Sequence, residues 1–517
     1  MDAPPLNAED IEKGQSKFAL NGGSSDGTLG SSIHEGHLTS HHGFKGYVKR
    51  IIESELTESR GIHRVGPDER HKVDAFGYLQ MTLLWMSANL SANNVAVGML
   101  GPSVYGLSFL DSALTVTFGC MVGSACTAYM STFGPVSGNR TMIIARYTMG
   151  WWPSRICVLL NLVIMLGYGM IDCVIGGQML SAVADNNMTI IVGIIIVAII
   201  SYVITVIGLP MFHIYERYAW APQMAILFIM CGCAGQYFDT TTPSVGDSTT
   251  IAGNRLSFFS LALSACSAWS PAGADYYVYY PETTPKVMTF ALTFIGETIS
   301  EIFAMLMGAG IASGIANNPV WTAANEISPG AVLVAGFSDL GTFGKFCGVV
   351  MALGVIANNV PGTYSAGLGF QCLGAWPLKV PRMVWNTFGV IVYTVCAAVG
   401  RNHLYDIFEN FLALMGYWTT IWIVITLEEQ FIFRRKSGYI WSDWNDPKKI
   451  PLGLAALASF LIGWAGAVLC MDQVYFIGPI AGLVGEYGSD MGIYVGSAWA
   501  GITFPLFRML ELKYIGR

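Results

Sequence analysis

Charge is what this sequence has least of. Asp, Glu, Lys and Arg make up only 12% of its 517 residues, against about 25% in ordinary soluble domains. So little charge cannot clothe a water-facing surface, and no nucleic-acid partner is expected. The eleven cysteines form no CxxC pair and no Cys/His ligand spacing, so neither a metal centre nor a redox pair is expected. Cys120, Cys126, Cys157, Cys173, Cys231 and Cys233 sit in apolar stretches, where a thiol serves as packing. No P-loop, hydrolase elbow or zinc-ligand spacing is present, so no enzyme and no cofactor is expected. The N-terminus is polar and rich in Gly, Ser and His. It lacks the pattern of a cleaved signal, and the first span is expected to act as its own.

What the chain has in quantity is apolar length. It is 53% hydrophobic with mean hydropathy +0.50, and runs near 20 residues recur, each enough to cross a bilayer at about 1.5 Å per residue. Twelve spans are expected: 78–100, 108–132, 155–183, 189–210, 219–236, 256–280, 288–315, 346–371, 384–400, 405–427, 450–471 and 491–509. The fold class is therefore an all-α polytopic membrane protein. Residues 1–44 read as a disordered polar tail and 45–77 as a charged lead-in, so that 1–77 forms the N-terminal tail and 510–517 the C-terminal one.

Lys and Arg set the expected orientation. They cluster before the first span (Lys45, Lys49, Arg50, Arg60, Arg64, Arg70, Lys72) and after even-numbered spans (Arg140, Arg146, Arg217, Lys379, Arg382, Arg434, Arg435, Lys436, Lys448, Lys449). The opposite loops hold little beyond Arg255, Lys345 and Arg401. Both termini are expected in the cytoplasm. Asn187-Met188-Thr189 is a glycosylation sequon in an outside loop, close to the membrane.

Two spans are broken in matching places. Span 1 contains LLWMSANLSANNVAVG and span 6 contains SACSAWSPAGADYYVYYP. Spans 1–5 (78–236) and 6–10 (256–427) then read as two inverted copies, with 450–509 as two accessory spans. Matched broken helices point to a transporter's binding site, because unwound backbone at that depth must line a cavity.

The polar residues in these spans are the candidates. Asn358 and Asn359 adjoin Pro361 and Gly362, which should loosen the helix. One amide would serve as interhelical glue; two in a row point about 100° apart, so one is expected to face a ligand. Trp269 beside the span 6 break is either packing or a stacking surface. Tyr168 and Asp172 are four apart and share a helix face. A mid-membrane carboxylate is costly unless paired, protonated or functional. Ser87 lies at the span 1 break. Asp275 reads as coupling, gating or proximity to the cytoplasmic surface, and Glu297 with Glu301 as helix packing or proton handling. Aromatic rings with amides suit a planar, hydrogen-bonding heterocycle.

Together LLWMSAN, IGGQ, DYYVYYPETTP and IANNVP resemble the purine-cytosine permease family, the nucleobase-cation symporters, and its fungal branch in particular, over residues 70 to 510. The resemblance implies a leucine-transporter-type fold with five-plus-five inverted repeats, alternating access, a fungal plasma membrane and a co-transported proton. It implies a ring held between Tyr168 and Trp269, with Ser87, Asp172, Asn358, Asn359 and Pro361 as further substrate positions. Purine-cytosine carriers usually have Trp at Tyr168, an amide at Asp172 and Asn at Gly362. The expected substrate is a purine- or cytosine-like heterocycle. The alternatives are a cationic or other heterocycle, such as vitamin B6, allantoin or a specialised metabolite, and, in a different class, a non-transporting receptor, for which neither tail supplies a signalling domain.

Overall fold

The computed structural model describes residues 61–207 and 209–517, the side chains of 207–217 excepted. The N-terminal tail up to residue 60, with Lys45, Lys49, Arg50 and Arg60, lies outside the described residues, as does the Arg217 side chain.

Every expected span coincides with a helix or a broken helix. Span 1 is two helices, α1 (Ala75–Asn89) and α2 (Ala92–Ser103). The next four are α3 (Phe109–Ser131), α5 (Ser154–Val183), α6 (Ile190–Ile207) and α7 (Leu209–Ala234), with the short α4 (Thr141–Met149) before α5. Span 6 is α8 (Ser248–Ser267) followed by a 3-10 segment, Ser270–Tyr277. Then come α9 (Lys286–Ser313), α10 (Gly341–Cys372), α11 (Arg382–Gly400), α12 (Leu404–Glu428), α13 (Leu454–Cys470) and α14 (Gly492–Tyr514). Among the described residues seven helical stretches are long and apolar enough to cross a membrane on their own, and two shorter apolar helices join them. Span 1 falls short of that test because the break divides its apolar length, and α8 because its first turns are polar.

The boundaries differ where polar caps extend a helix beyond its apolar stretch. α8 starts eight residues before the expected 256, since Asp247 accepts the Thr250 amide at its N-cap and the first turns tolerate Thr, Asn and Arg. α10 begins at Gly341, ahead of 346, and runs unbroken through Pro361, where a loosening was expected. The proline removes one N–H, but burial on every side holds the helix.

The break in α1–α2 is built from short polar side chains. Leu90 and Ser91 leave helical geometry, freeing backbone groups that cannot stay unpaired in a membrane. Asn89 Nδ2 donates to the Trp85 carbonyl (2.9 Å) and Asn94 Nδ2 to the Asn89 carbonyl (2.9 Å). Glycines let α9 lie against this broken span. A methyl group at Gly98 would fall on the Met305 backbone, and one at Gly308 on the Val95 carbonyl, so the two helices touch backbone to backbone.

Candidate functional site

Tyr168, Trp269, Asn358 and Asn359 converge on one buried cavity, which Met165, Gly169, Ala268 and Gly362 complete. They come from α5, the break after α8, and the middle of α10. The space open to the centre of a water molecule is about 10 Å³, room for about one water. Side chains must therefore move apart to admit a ring.

Each wall is held by its own contacts. Trp269 Nε1 donates to Asn89 Oδ1 at 3.0 Å, and its ring meets Trp85 edge-on with centroids 6.1 Å apart. Tyr168 donates its hydroxyl to the Ala265 carbonyl at 3.2 Å and packs edge-on against Phe411 at 5.6 Å. The aromatic walls are thus tied to the broken span 1 on one side and to α8 and α12 on the other.

The two adjacent amides divide their tasks. Asn358 Nδ2 donates to the Ala88 carbonyl at 2.8 Å, an acceptor left free where α1 ends. Its Oδ1 is buried without a partner. Asn359 is satisfied by scaffold: Nδ2 reaches Ser201 Oγ (3.3 Å) on α6 and Tyr393 Oη (3.5 Å) on α11, and Oδ1 accepts from Thr363 (3.0 Å). Asn358 keeps an open acceptor beside the cavity, whereas Asn359 fastens α10 to its neighbours.

Ser87, Asp172 and Pro361 are not among the lining residues. Asp172 is fully buried one turn beyond Tyr168, and neither carboxylate oxygen has a hydrogen-bond partner among the described residues. The Ser87 hydroxyl is likewise buried without one. Sharing a helix face with Tyr168 was thus not enough to bring Asp172 into the cavity wall, because one turn along the helix displaces it by about 5.4 Å.

Asp275 belongs to a separate latch. Its Oδ1 accepts both the backbone N–H (2.6 Å) and the hydroxyl (2.9 Å) of Thr141 at the start of α4, and Arg140 Nη1 donates to its carbonyl (2.8 Å). Arg140 Nη2 also reaches the Tyr364 hydroxyl (3.2 Å) on α10. The latch joins the segment after Trp269 to α4 and α10. Sequence reading missed Arg140 and Tyr364 here, because contacts between residues 135 and 224 apart leave no local pattern.

Glu297 and Glu301 lie on the face of α9 that meets α2 and α3. Both are buried, and three of their four carboxylate oxygens have no hydrogen-bond partner among the described residues. Asn94 adjoins Glu301, and Thr127 and Cys120 adjoin Glu297. All eleven cysteines are free. No group of metal-ligating side chains occurs among the described residues.

Comparison with known proteins places these features in a family. The family described as permease for cytosine/purines, uracil, thiamine, allantoin matches residues 68–484. The vitamin B6 transporter TPN1 of Saccharomyces cerevisiae is 33% identical, over 91% of this chain and 90% of its own. The purine-cytosine permease FCY2 of the same yeast is 34% identical, over 91% and 89%. Among solved structures, Mhp1, a nucleobase-cation-symport-1 family transporter in a closed conformation with bromovinylhydantoin bound, superposes with TM-score 0.63 at 14% identity, covering 89% of this chain and 96% of its own.

Proposed function

The chain belongs to the family of permeases for cytosine, purines, uracil, thiamine and allantoin, and on that premise we propose that it imports a purine- or cytosine-like heterocycle together with a proton. As a member it is a multi-pass secondary transporter. The observation that carries the substrate class is the cavity itself. Two aromatic rings offer stacking faces, and the open Asn358 Oδ1 offers an acceptor for a ring N–H. No charged side chain lines it, which favours a neutral ring over a cation. The similarity to TPN1 keeps a vitamin B6 form as the second reading.

Coupling is assigned to Glu297 and Glu301. An ionised carboxylate at this depth is costly without a counter-ion, and no Lys or Arg pairs with either among the described residues. The titratable groups within electrostatic reach of the pair are Cys120 and Cys126 on α3, Cys266 on α8, Tyr168 on α5 and Tyr277 in the 3-10 segment. None of these supplies a positive charge. A proton bound from one side removes that cost, and its release to the other side restores the charge, so that the protonation state can drive the cycle. The contacts Glu301–Asn94, Asn94–Asn89 and Asn89–Trp269 connect it to the cavity wall.

The arrangement of Lys and Arg supports cytoplasmic termini, and kinship to yeast permeases supports a fungal plasma membrane. Residues 78–236 and 256–427 are taken as the two inverted repeats and 450–509 as accessory spans. The test is energised uptake in cells lacking endogenous permeases. Uptake should rise at acidic external pH, collapse with a protonophore and ignore replacement of sodium. A sodium requirement would refute proton coupling.

A further inference from the structure

A second, larger cavity opens away from the central one, and nothing in the transport reading uses it. Its volume is about 530 Å³, within the range of small-molecule sites. It is walled by the end of α2, the first turns of α8 and α12, and a hairpin in which Asp472–Gln473 pairs antiparallel with Phe476–Ile477. Glu409 and Asp472 bring two carboxylates to it, Tyr105 and Tyr487 two rings, and Gln473 and Asn254 two amides.

The charges are one-sided. The three cations that the sequence places on this side, Arg255 in α8, Lys345 in α10 and Arg401 just after α11, are engaged elsewhere. Arg255 pairs with Asp111 at 2.8 Å, Lys345 pairs with Asp185 at 2.6 Å, and Arg401 donates to the Ala398 carbonyl at 2.6 Å. Neither Glu409 nor Asp472 is in an ion pair among the described residues, and burial pushes the Asp472 carboxyl up from its ordinary value. Gln473 adds an independent sign. Only 4% of it is exposed, and its Nε2 is used by Tyr417 (2.8 Å), Asp490 (3.0 Å) and its neighbour's carbonyl (2.9 Å). Its Oε1 has no partner. A buried acceptor without a donor is costly, and this one belongs to a residue of the cavity wall.

We infer that this cavity is a vestibular binding site for a small organic cation bearing N–H groups, a protonated amine or ring nitrogen, which it holds at the outer mouth. Two carboxylates neutralise the charge, Gln473 Oε1 accepts an N–H once its side chain turns into the cavity, and the tyrosine rings cover the face of a cation. A bare metal ion does not suit it, since no group of three ligating side chains converges there and the volume far exceeds an ion. Its placement at the outer mouth rests on the proposed orientation.

The vestibule and the central cavity are built on two of the same helices, α8 and α12. Ser257 lines it and Ser267 ends the same helix next to Trp269, about 15 Å further along α8. Glu409 is two residues from Phe411, which packs on Tyr168 at 5.6 Å. A cation held here is therefore a ligand distinct from the neutral ring of the central cavity, bound on helices that the two cavities share.

The test uses the full chain with a cysteine introduced by Val474→Cys, at a half-exposed position of the hairpin, and follows its maleimide labelling. Pyridoxamine, an organic cation, should slow labelling at least threefold, and sodium chloride at equal concentration should not. Protection should persist with Asn358→Ala, which disables the central cavity, and vanish with Glu409→Gln plus Asp472→Asn. No protection, equal protection by sodium, or protection lost with Asn358→Ala would each overturn the vestibular site. The readout is binding rather than uptake, so a failed transport assay leaves it intact.

Discussion

Asn358 and Asn359 are neighbours in sequence with opposite dependencies, and that contrast is the sharpest expectation at the scale of single residues. Asn358→Ala should abolish uptake while leaving the protein at the cell surface. It removes the open acceptor beside the cavity, a loss of about 1–3 kcal/mol, or roughly 5- to 150-fold in affinity. Asn359→Ala should instead reduce the amount of folded protein, because it unfastens α10 from Ser201 and Tyr393. Surface abundance measured beside uptake separates the two, and the same pattern for both variants would sink the division. Gly362 is the other residue to probe. A methyl group there would meet Met165 at 3.8 Å, ordinary contact, so Gly362→Asn can point an amide into the cavity with modest adjustment. Competition assays should show it shifting selectivity toward cytosine or adenine; an unchanged inhibitor ranking would mean that this wall does not read the ring. Tyr168, Trp269 and the amide pair were legible in sequence because a polar or aromatic residue inside an apolar run is conspicuous. Which amide keeps an open acceptor was not, since that depends on where α6 and α11 dock. Asp172 was conspicuous for the same reason and yet stands outside the wall.

Among the elements, the two broken spans carried the strongest signal. Small polar residues inside an otherwise apolar run cannot continue a lipid-facing helix without a partner, and both breaks fall beside the cavity. Less visible were the contacts that lock them, such as the Asp275 latch. Asp275→Ala removes the acceptor for both Thr141 donors and should loosen the segment after Trp269 from α4. Cys372, buried nearby at the end of α10 and within electrostatic reach of Asp275 and Arg140, reports this without further engineering. Its alkylation by a permeant maleimide, followed by peptide mapping, should speed up several-fold. An unchanged rate would mean that the latch does not hold this end closed. The two-residue hairpin strands at 472–477 escaped sequence reading altogether, being too short to show a period.

For the molecule as a whole, composition announced a membrane protein and spacing announced its helices, because apolar length is a property of the chain alone. Pairings between distant spans are not. The acid pair on α9, the vestibule and the central cavity each depend on helices brought together by the complete fold. The acid pair and the central cavity meet at the break of span 1, where Asn89 holds Trp269, the Ala88 carbonyl holds Asn358 and Asn94 reaches toward Glu301. Proton and substrate are therefore expected to be linked. Glu301→Gln should flatten the pH dependence of uptake and block accumulation, while preserving exchange of labelled for unlabelled substrate across the membrane. Loss of exchange along with uptake, in a variant present at normal abundance, would assign Glu301 to folding or to the binding site. The most direct measurement of the central claim is a panel of radiolabelled cytosine, adenine, hypoxanthine, uracil, allantoin and pyridoxine offered to a permease-deficient host. The host expresses either the parent or the Asn358→Ala protein at matched surface levels. The account predicts saturable accumulation of at least one of these rings by the parent and its loss in the variant. Accumulation of none of them, or equal accumulation by both proteins, would contradict it.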